Sequence, residues 1–130
     1  MIVDTSAIVA LLRDEPGADA LAMAILADPS PKMSAATAVE LYAVADVRGA
    51  PAEARRVDAL LKKLGIRLVP FDDTQAAIAR EAYRDFGRGS GHSAKLNLGD
   101  TFAYALATHT GEPLLYVGDD FSRTDVRSAS

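Results

Sequence analysis

MIVDTSAIVALLR, residues 1–13, is the stretch from which the rest of the chain can be read. Residues 1–4 are a short β-branched run that ends on an acid, the signature of a buried strand. From residue 5 the period changes, and Ile8, Leu11 and Leu12 recur on one side of a helix over 5–13. Asp4 thus stands where a strand hands over to a helix. In open α/β sheets that is the edge at which ligands bind.

Working outward, the same alternation repeats. Pro16 opens a second helix that reaches residue 26 and ends before the turn-forming DPSP at 28–31. A short strand at 32–35 leads into a helix over 36–48, which stops at Gly49. Pro51 starts the next helix, which runs to residue 64 and stops at Gly65, followed by a strand at 66–70. Asp72, Asp73 and Thr74 offer caps for a helix over 75–86. The Gly/Ser-rich, basic stretch GRGSGHSAK at 87–95 reads as a mobile loop. A helix over 98–109 and a strand at 114–117 complete the pattern, and the polar tail beyond reads as irregular. Strands alternating with helices predict an α/β fold with a parallel sheet covered on both faces. With neither repeat nor linker, residues 1–130 read as a single domain.

Composition narrows the function classes. The chain has no cysteine, so neither a disulfide framework nor a thiolate zinc site is available. No stretch approaches the roughly 20 apolar residues of a membrane span, and the N-terminus lacks a signal-peptide pattern. A cytoplasmic protein that touches no membrane is expected. The net charge of −4 speaks mildly against a sequence-independent nucleic-acid binder. The positive charge is nevertheless clustered: Arg48, Arg55, Arg56, Lys62, Lys63 and Arg67 in one segment, and Arg84, Arg88, His92 and Lys95 in another. Both clusters suit either a solvated face or RNA contact.

The acids stand out against their surroundings. Asp4 ends the first strand, and Asp119 follows the last by two residues. Glu40 falls on a stripe formed by Ala36, Val39, Ala43 and Val47, and Asp100 shares a face with Leu96, Ala103 and Ala107. An inward acid is costly unless something pairs with it. Each also has a structural reading: Asp4 as a helix cap, Asp100 beside a helix dipole, Glu40 partly exposed, Asp119 and Asp120 in a solvated turn. Brought together, the four would repel unless a cation intervened. Oxygen-only ligands favour Mg²⁺ or Mn²⁺ over zinc. A carboxylate-held ion of that kind suits phosphoryl chemistry, in which it activates water and steadies the leaving oxygen.

The motifs IVDTSAIVALL, TAVELYAV, LNLGDTFAYALA and LLYVGDDF, in this order and over essentially the whole chain, resemble the PIN domain, and most of all the VapC toxins of bacterial toxin–antitoxin pairs. The resemblance implies a PIN-like α/β/α sandwich with a central parallel sheet. It also implies a Mg²⁺- or Mn²⁺-dependent endoribonuclease acting on structured RNA such as tRNA or ribosomal RNA, a homodimer, and inhibition by a VapB-like antitoxin. By the same resemblance, Asp4, Glu40 and Asp100 match the first three family acids, as metal ligands or holders of metal-bound water. Thr5 and Ser6 match the supporting hydroxyls. The chain departs from the family at the fourth acid. Gly118 occupies the position at which many relatives carry Asn or Asp, so Asp119 or Asp120 must serve. Asp119 is preferred, with Asp120 in a supporting place before Phe121.

Arg88, His92 and Lys95 are the candidates for RNA contact. The aromatics Tyr42, Phe71, Tyr83, Phe86, Phe102 and Tyr104 read as core and dimer packing. The stripe Val57, Leu60, Leu61 and Leu64 suits either the core or an antitoxin groove. Two other functions compete. One is a catalytically weak PIN-like module that binds RNA or a partner. The other is a small phosphatase, against which stand the missing phosphate loops and the lack of a second acid two residues after Asp4.

Overall fold

A sheet of four short strands carries the fold. In the computed structural model, which describes residues 1–47 and 51–130, β1 (Ile2–Val3), β2 (Lys32–Ser34), β3 (Arg67–Val69) and β4 (Leu114–Leu115) lie in the order β3-β2-β1-β4. All neighbours are parallel. Parallel neighbours require crossovers. These are α1 (Thr5–Leu12) and α2 (Ala18–Ala27), then α3 (Ala35–Val47) and α4 (Pro51–Lys63), then α5 (Asp73–Phe86) and α6 (Leu98–Thr110).

Alternation along the strands sends successive side chains to opposite faces. Val3, Met33 and Leu115 join the core formed with α1, α2, α3 and α4. Ile2 and Leu114 join the core formed with α5 and α6. The result is the expected α/β/α sandwich. From β1 the chain moves outward to β2 and β3, then returns across β1 to β4. The switch point therefore lies between β1 and β4, the place where an α/β sheet opens a crevice at its carboxyl ends.

Several expectations change in detail. Helix α3 is apolar almost all round, so periodicity alone left its inner face undecided. Val39 is 68% exposed and Ala43 is exposed, whereas Thr37, Ala38, Leu41 and Ala45 are buried. Glu40 therefore flanks the buried face and is half-buried, off the stripe on which it was expected. The expected stop of this helix at Arg48 and Gly49 lies outside the described residues. Val57, Leu61 and Leu64 of α4 close the core, with Leu60 packed against them.

The tail forms no helix or strand, as expected, but it is anchored. Phe121 is buried and packs at 5.2 Å on Tyr116. Ser128 bridges Leu114 in parallel, with bonds from Leu114 N to Arg127 O (2.8 Å) and from Ala129 N to Leu114 O (2.9 Å). The tail covers the polar backbone edge that β4 would otherwise expose. Among the described residues no helix is long and apolar enough to cross a membrane.

Candidate active site at the carboxyl ends of the strands

Asp4 follows β1 and its two oxygens have different fates. Oδ2 caps α1, accepting from Ser6 N (3.1 Å) and Ser6 Oγ (2.7 Å). Oδ1 is buried and has no hydrogen-bond partner among the described residues. An orphaned carboxylate oxygen in a residue only 4% exposed is a costly arrangement. Burial pushes the Asp4 carboxyl above its usual range, the Ser6 bonds oppose that, and the charge of Glu40 adds to it.

Ser6 does more than cap. Its Oγ also accepts from Val117 N at 3.0 Å, tying the end of β1 to the segment after β4. The adjacent hydroxyl, Thr5 Oγ1, donates to Glu40 Oε1 at 2.8 Å. Glu40 thereby reaches from α3 towards β1, and its carboxylate lies against Gly99 in the first turn of α6. A Cβ on Gly99 would overlap Glu40 Oε2.

Asp100 sits at the third position of α6 in a reciprocal capping box. Its N–H donates to Asn97 Oδ1 (2.9 Å), and Asn97 N donates to Asp100 Oδ2 (3.0 Å). The helical face expected around it is buried: Leu96, Ala103 and Ala107 all belong to the core. Burial, aided by the charges of Asp4 and Asp120 and opposed by the Asn97 N–H, drives the Asp100 carboxyl up to about 7.

The fourth acid reverses the expected order. Asp120 lies near enough to Asp100 for its charge and side chain to raise the Asp100 carboxyl. Both Asp119 and Asp120 are exposed, but Asp119 does not figure among the groups acting on Asp100, and its backbone oxygen accepts from Ser122 N and Ser122 Oγ. Gly118, at φ 100°, makes a left-handed turn just before the two acids. By position, Asp120 rather than the preferred Asp119 is the neighbour of Asp100.

Among the described residues no Lys or Arg forms an ion pair with Asp4, Glu40, Asp100 or Asp120. Nor do any three acids, with side chains as they stand, surround a single point as ligands. The donor set still fits a divalent cation. Mg²⁺ keeps several waters and needs only one or two direct carboxylates. The orphaned Asp4 Oδ1 and the mutual repulsion of these acids are what such an ion would relieve.

Sequence patterns missed two contributors. Asn97 was readable as the cap opposite Asp100, three residues away. Gly99 had no local signal, because its need for a bare backbone comes from α3. Arg88, His92 and Lys95 come together, but in a separate cleft on the 87–95 loop.

A family profile described as the PIN domain matches residues 1–127. The ribonuclease VapC42 of Mycobacterium tuberculosis is 55% identical over 129 residues, covering 99% of this chain and 98% of that protein. Among solved structures, a toxin–antitoxin complex from Klebsiella pneumoniae superposes with a TM-score of 0.72 at 18% identity, over 95% of this chain and 92% of that one. Mycobacterium tuberculosis VapC20, described as a sarcin–ricin loop cleaving toxin, gives 0.70 at 18% identity over 97% and 98%. At such identities the superpositions speak for the fold, and the close sequence relative for the family.

Proposed function

The chain belongs to the PIN-domain family, among its VapC ribonucleases, and from that premise we propose that it cleaves structured RNA, tRNA or ribosomal RNA, at the site formed by Asp4, Glu40, Asp100 and Asp120. It acts as the toxin of a pair whose VapB-like antitoxin restrains it, as a homodimer in the cytoplasm, with Mg²⁺ or Mn²⁺ as cofactor.

The buried and unpartnered Asp4 Oδ1 carries this proposal. Asp4 and Asp100 would bind the cation directly, with Glu40 and Asp120 completing its surroundings. When bound, a divalent cation activates water and stabilises charge on the phosphate. The chain's own groups supply the order. Ser6 fixes Asp4 through Oδ2 and leaves Oδ1 free. Thr5 holds Glu40. The Asn97 cap fixes the rotamer of Asp100. In the cation-free state burial favours the protonated form of Asp100. Arg88, His92 and Lys95 supply phosphate contacts outside the acidic cleft.

The test is Asp4→Asn, followed by RNA cleavage with added Mg²⁺ and by calorimetric titration of Mn²⁺. Loss of both is expected. Full cleavage by the variant would sink the assignment. One observation favours a second reading, a catalytically weak binding module: no three acids stand at ligating distance of a common point among the described residues. Absence of Mn²⁺ binding at millimolar concentration by the native chain would favour that module.

A further inference from the structure

The segment 87–95 is Gly/Ser-rich, yet it is built rather than loose. Its ends are pinned by the bridge between Gly87 and Leu96, with bonds from Arg88 N to Leu96 O and from Leu96 N to Phe86 O, both 2.9 Å. Inside, Ser90 Oγ donates to Gly87 O (2.6 Å) and accepts from His92 N (3.1 Å). The His92 ring packs edge-on against Phe86 at 4.9 Å. Its Nδ1 accepts from Ala94 N at 3.0 Å, which leaves Nε2–H as the ring's donor. Gly87 lies so close to the end of α5 that a Cβ there would overlap Tyr83 O.

This loop borders an open cleft of about 420 Å³ lined by Arg88, Gly89, Gly91, His92, Ser93 and Lys95. The lining is rich in donors. Among the described residues, the N–H groups of Gly89, Gly91 and Ser93 have no protein acceptor. Gly89 (φ 87°) and Gly91 (φ 85°) are left-handed while the residues between and beside them are not. Alternation of that kind gathers backbone N–H groups into an anion-binding concavity. No acid occurs between Asp85 and Asp100. Lys95 adds an independent sign: it holds a left-handed backbone at φ 51°, where glycine or asparagine would be cheaper. A lysine kept at a strained position points to use of its ammonium.

We propose that this cleft is a preformed subsite for one backbone phosphate of the RNA substrate, held by Arg88, Lys95, His92 Nε2–H and the free N–H groups of Gly89, Gly91 and Ser93. The proposal rests on the ribonuclease function above and says where, outside the acidic centre, the substrate is gripped. Residue 97 links the two regions: the loop runs directly into Asn97, the cap that fixes Asp100. A phosphate seated in the loop would therefore position the strand beside the acids.

The experiment uses the full chain carrying Asp4→Asn, so that RNA stays intact, with bulk tRNA as ligand. Adding Arg88→Gln and Lys95→Gly should weaken binding on the order of tenfold near 0.1 M salt and flatten the slope of log affinity against log salt by about 1. Lys95→Gly relieves its own backbone, so the melting temperature should hold or rise, which separates grip from folding. In metal-free protein, inorganic phosphate should shift the amide resonances of Gly89, Gly91 and Ser93. An unchanged salt slope would overturn the proposal, even if phosphate moves those amides, since the cleft would then bind free anions and not RNA. A flattened slope in a chain whose native form cuts no RNA would uphold the subsite and remove the catalytic function instead.

Discussion

The two ends of the sheet handle charge in opposite ways. At the amino ends of the strands, the Met1 ammonium and Lys32 face Asp28 and Glu112 at 2.9–3.2 Å. Burial pushes both carboxyls upward, but the bonds from the Met1 ammonium and Lys32 outweigh it and hold Asp28 and Glu112 below their usual range. At the carboxyl ends, Asp4, Glu40, Asp100 and Asp120 meet with no cationic side chain among the described residues, and Asp4 and Asp100 are displaced upward. Burial acts in the same direction at both ends. The counter-charge decides the outcome. One end is balanced by its own cations, and the other carries its acids without a cationic partner among the described residues.

The sharpest way to break this contrast is Asp100→Asn. Asn keeps the oxygen that accepts from Asn97 N, so the cap survives while the charge goes. RNA cleavage should fall more than about 100-fold, since even the outer partners of metal ligands contribute about 10–100-fold. The same change should stabilise the cation-free protein. The folded carboxyl sits at about 7 against an ordinary 3.8. Between those values the folded chain keeps a proton that the unfolded chain has released, so stability is highest at the acid end and declines as pH rises towards 7. Thermal melts of metal-free native protein should show that decline, Asp100→Asn should remove most of it, and added Mg²⁺ should reverse it. A flat native profile would mean that the carboxyl ends are already compensated.

Ser6→Ala comes next in size. It removes the bond to Asp4 Oδ2 and the acceptor for Val117 N at once. A loss of about 10–100-fold in cleavage is expected, with about 1–3 kcal/mol of stability. Ser6→Thr, which restores the hydroxyl, should recover most of the activity. Gly99→Ala should separate activity from stability more cleanly. The overlapping atom is the far end of the Glu40 side chain, which can swing away without disturbing the backbone. Ala also favours a helix by about 0.8–1 kcal/mol over Gly. Melting temperature should hold or rise while Mn²⁺ affinity falls about tenfold, as measured by calorimetry. Unaltered affinity would show that Glu40 has no part in the cation's surroundings.

These residues also show where sequence patterns reach their limit. The parallel sheet, and Asp4 at a strand end, were legible because a change of hydrophobic period marks each handover from strand to helix. Asp100 was legible because its face is otherwise apolar. Glu40 was picked out on the wrong face: a helix apolar all round fits several stripes, and only the sheet beneath it selects one. Asp119 and Asp120 are adjacent in a turn, so only the course of the chain in space brings one of them nearer Asp100, and composition leaves no trace of it. Gly99 answers to a side chain from another helix, a relation that local patterns do not carry. The tail was rightly read as irregular, but its anchorage by a single buried aromatic, Phe121, was hidden in a run of polar neighbours.

The smallest effect belongs to the balanced end. Glu112→Gln removes one acid from a balanced set whose members are only partly shielded, with Glu112 27% and Asp28 23% exposed. Exposure of that order limits such pairs to about 0–1 kcal/mol. The Met1 ammonium keeps Asp28 as a partner, and Lys32 keeps the Ser30 carbonyl. A slightly lower melting temperature is expected, and the difference should shrink as salt rises. Cleavage and Mn²⁺ affinity should not change, because the sheet separates Glu112 from the acids at its other edge. The sign of the effect matters more than its size. Neutralising an acid should destabilise the chain here and stabilise the cation-free chain at Asp100. Two chemically equivalent substitutions at opposite ends of a sheet would then differ in sign because one end already holds its cations and the other must recruit them. If both lowered the melting temperature alike, the acids at the carboxyl ends would be structural partners of ordinary kind.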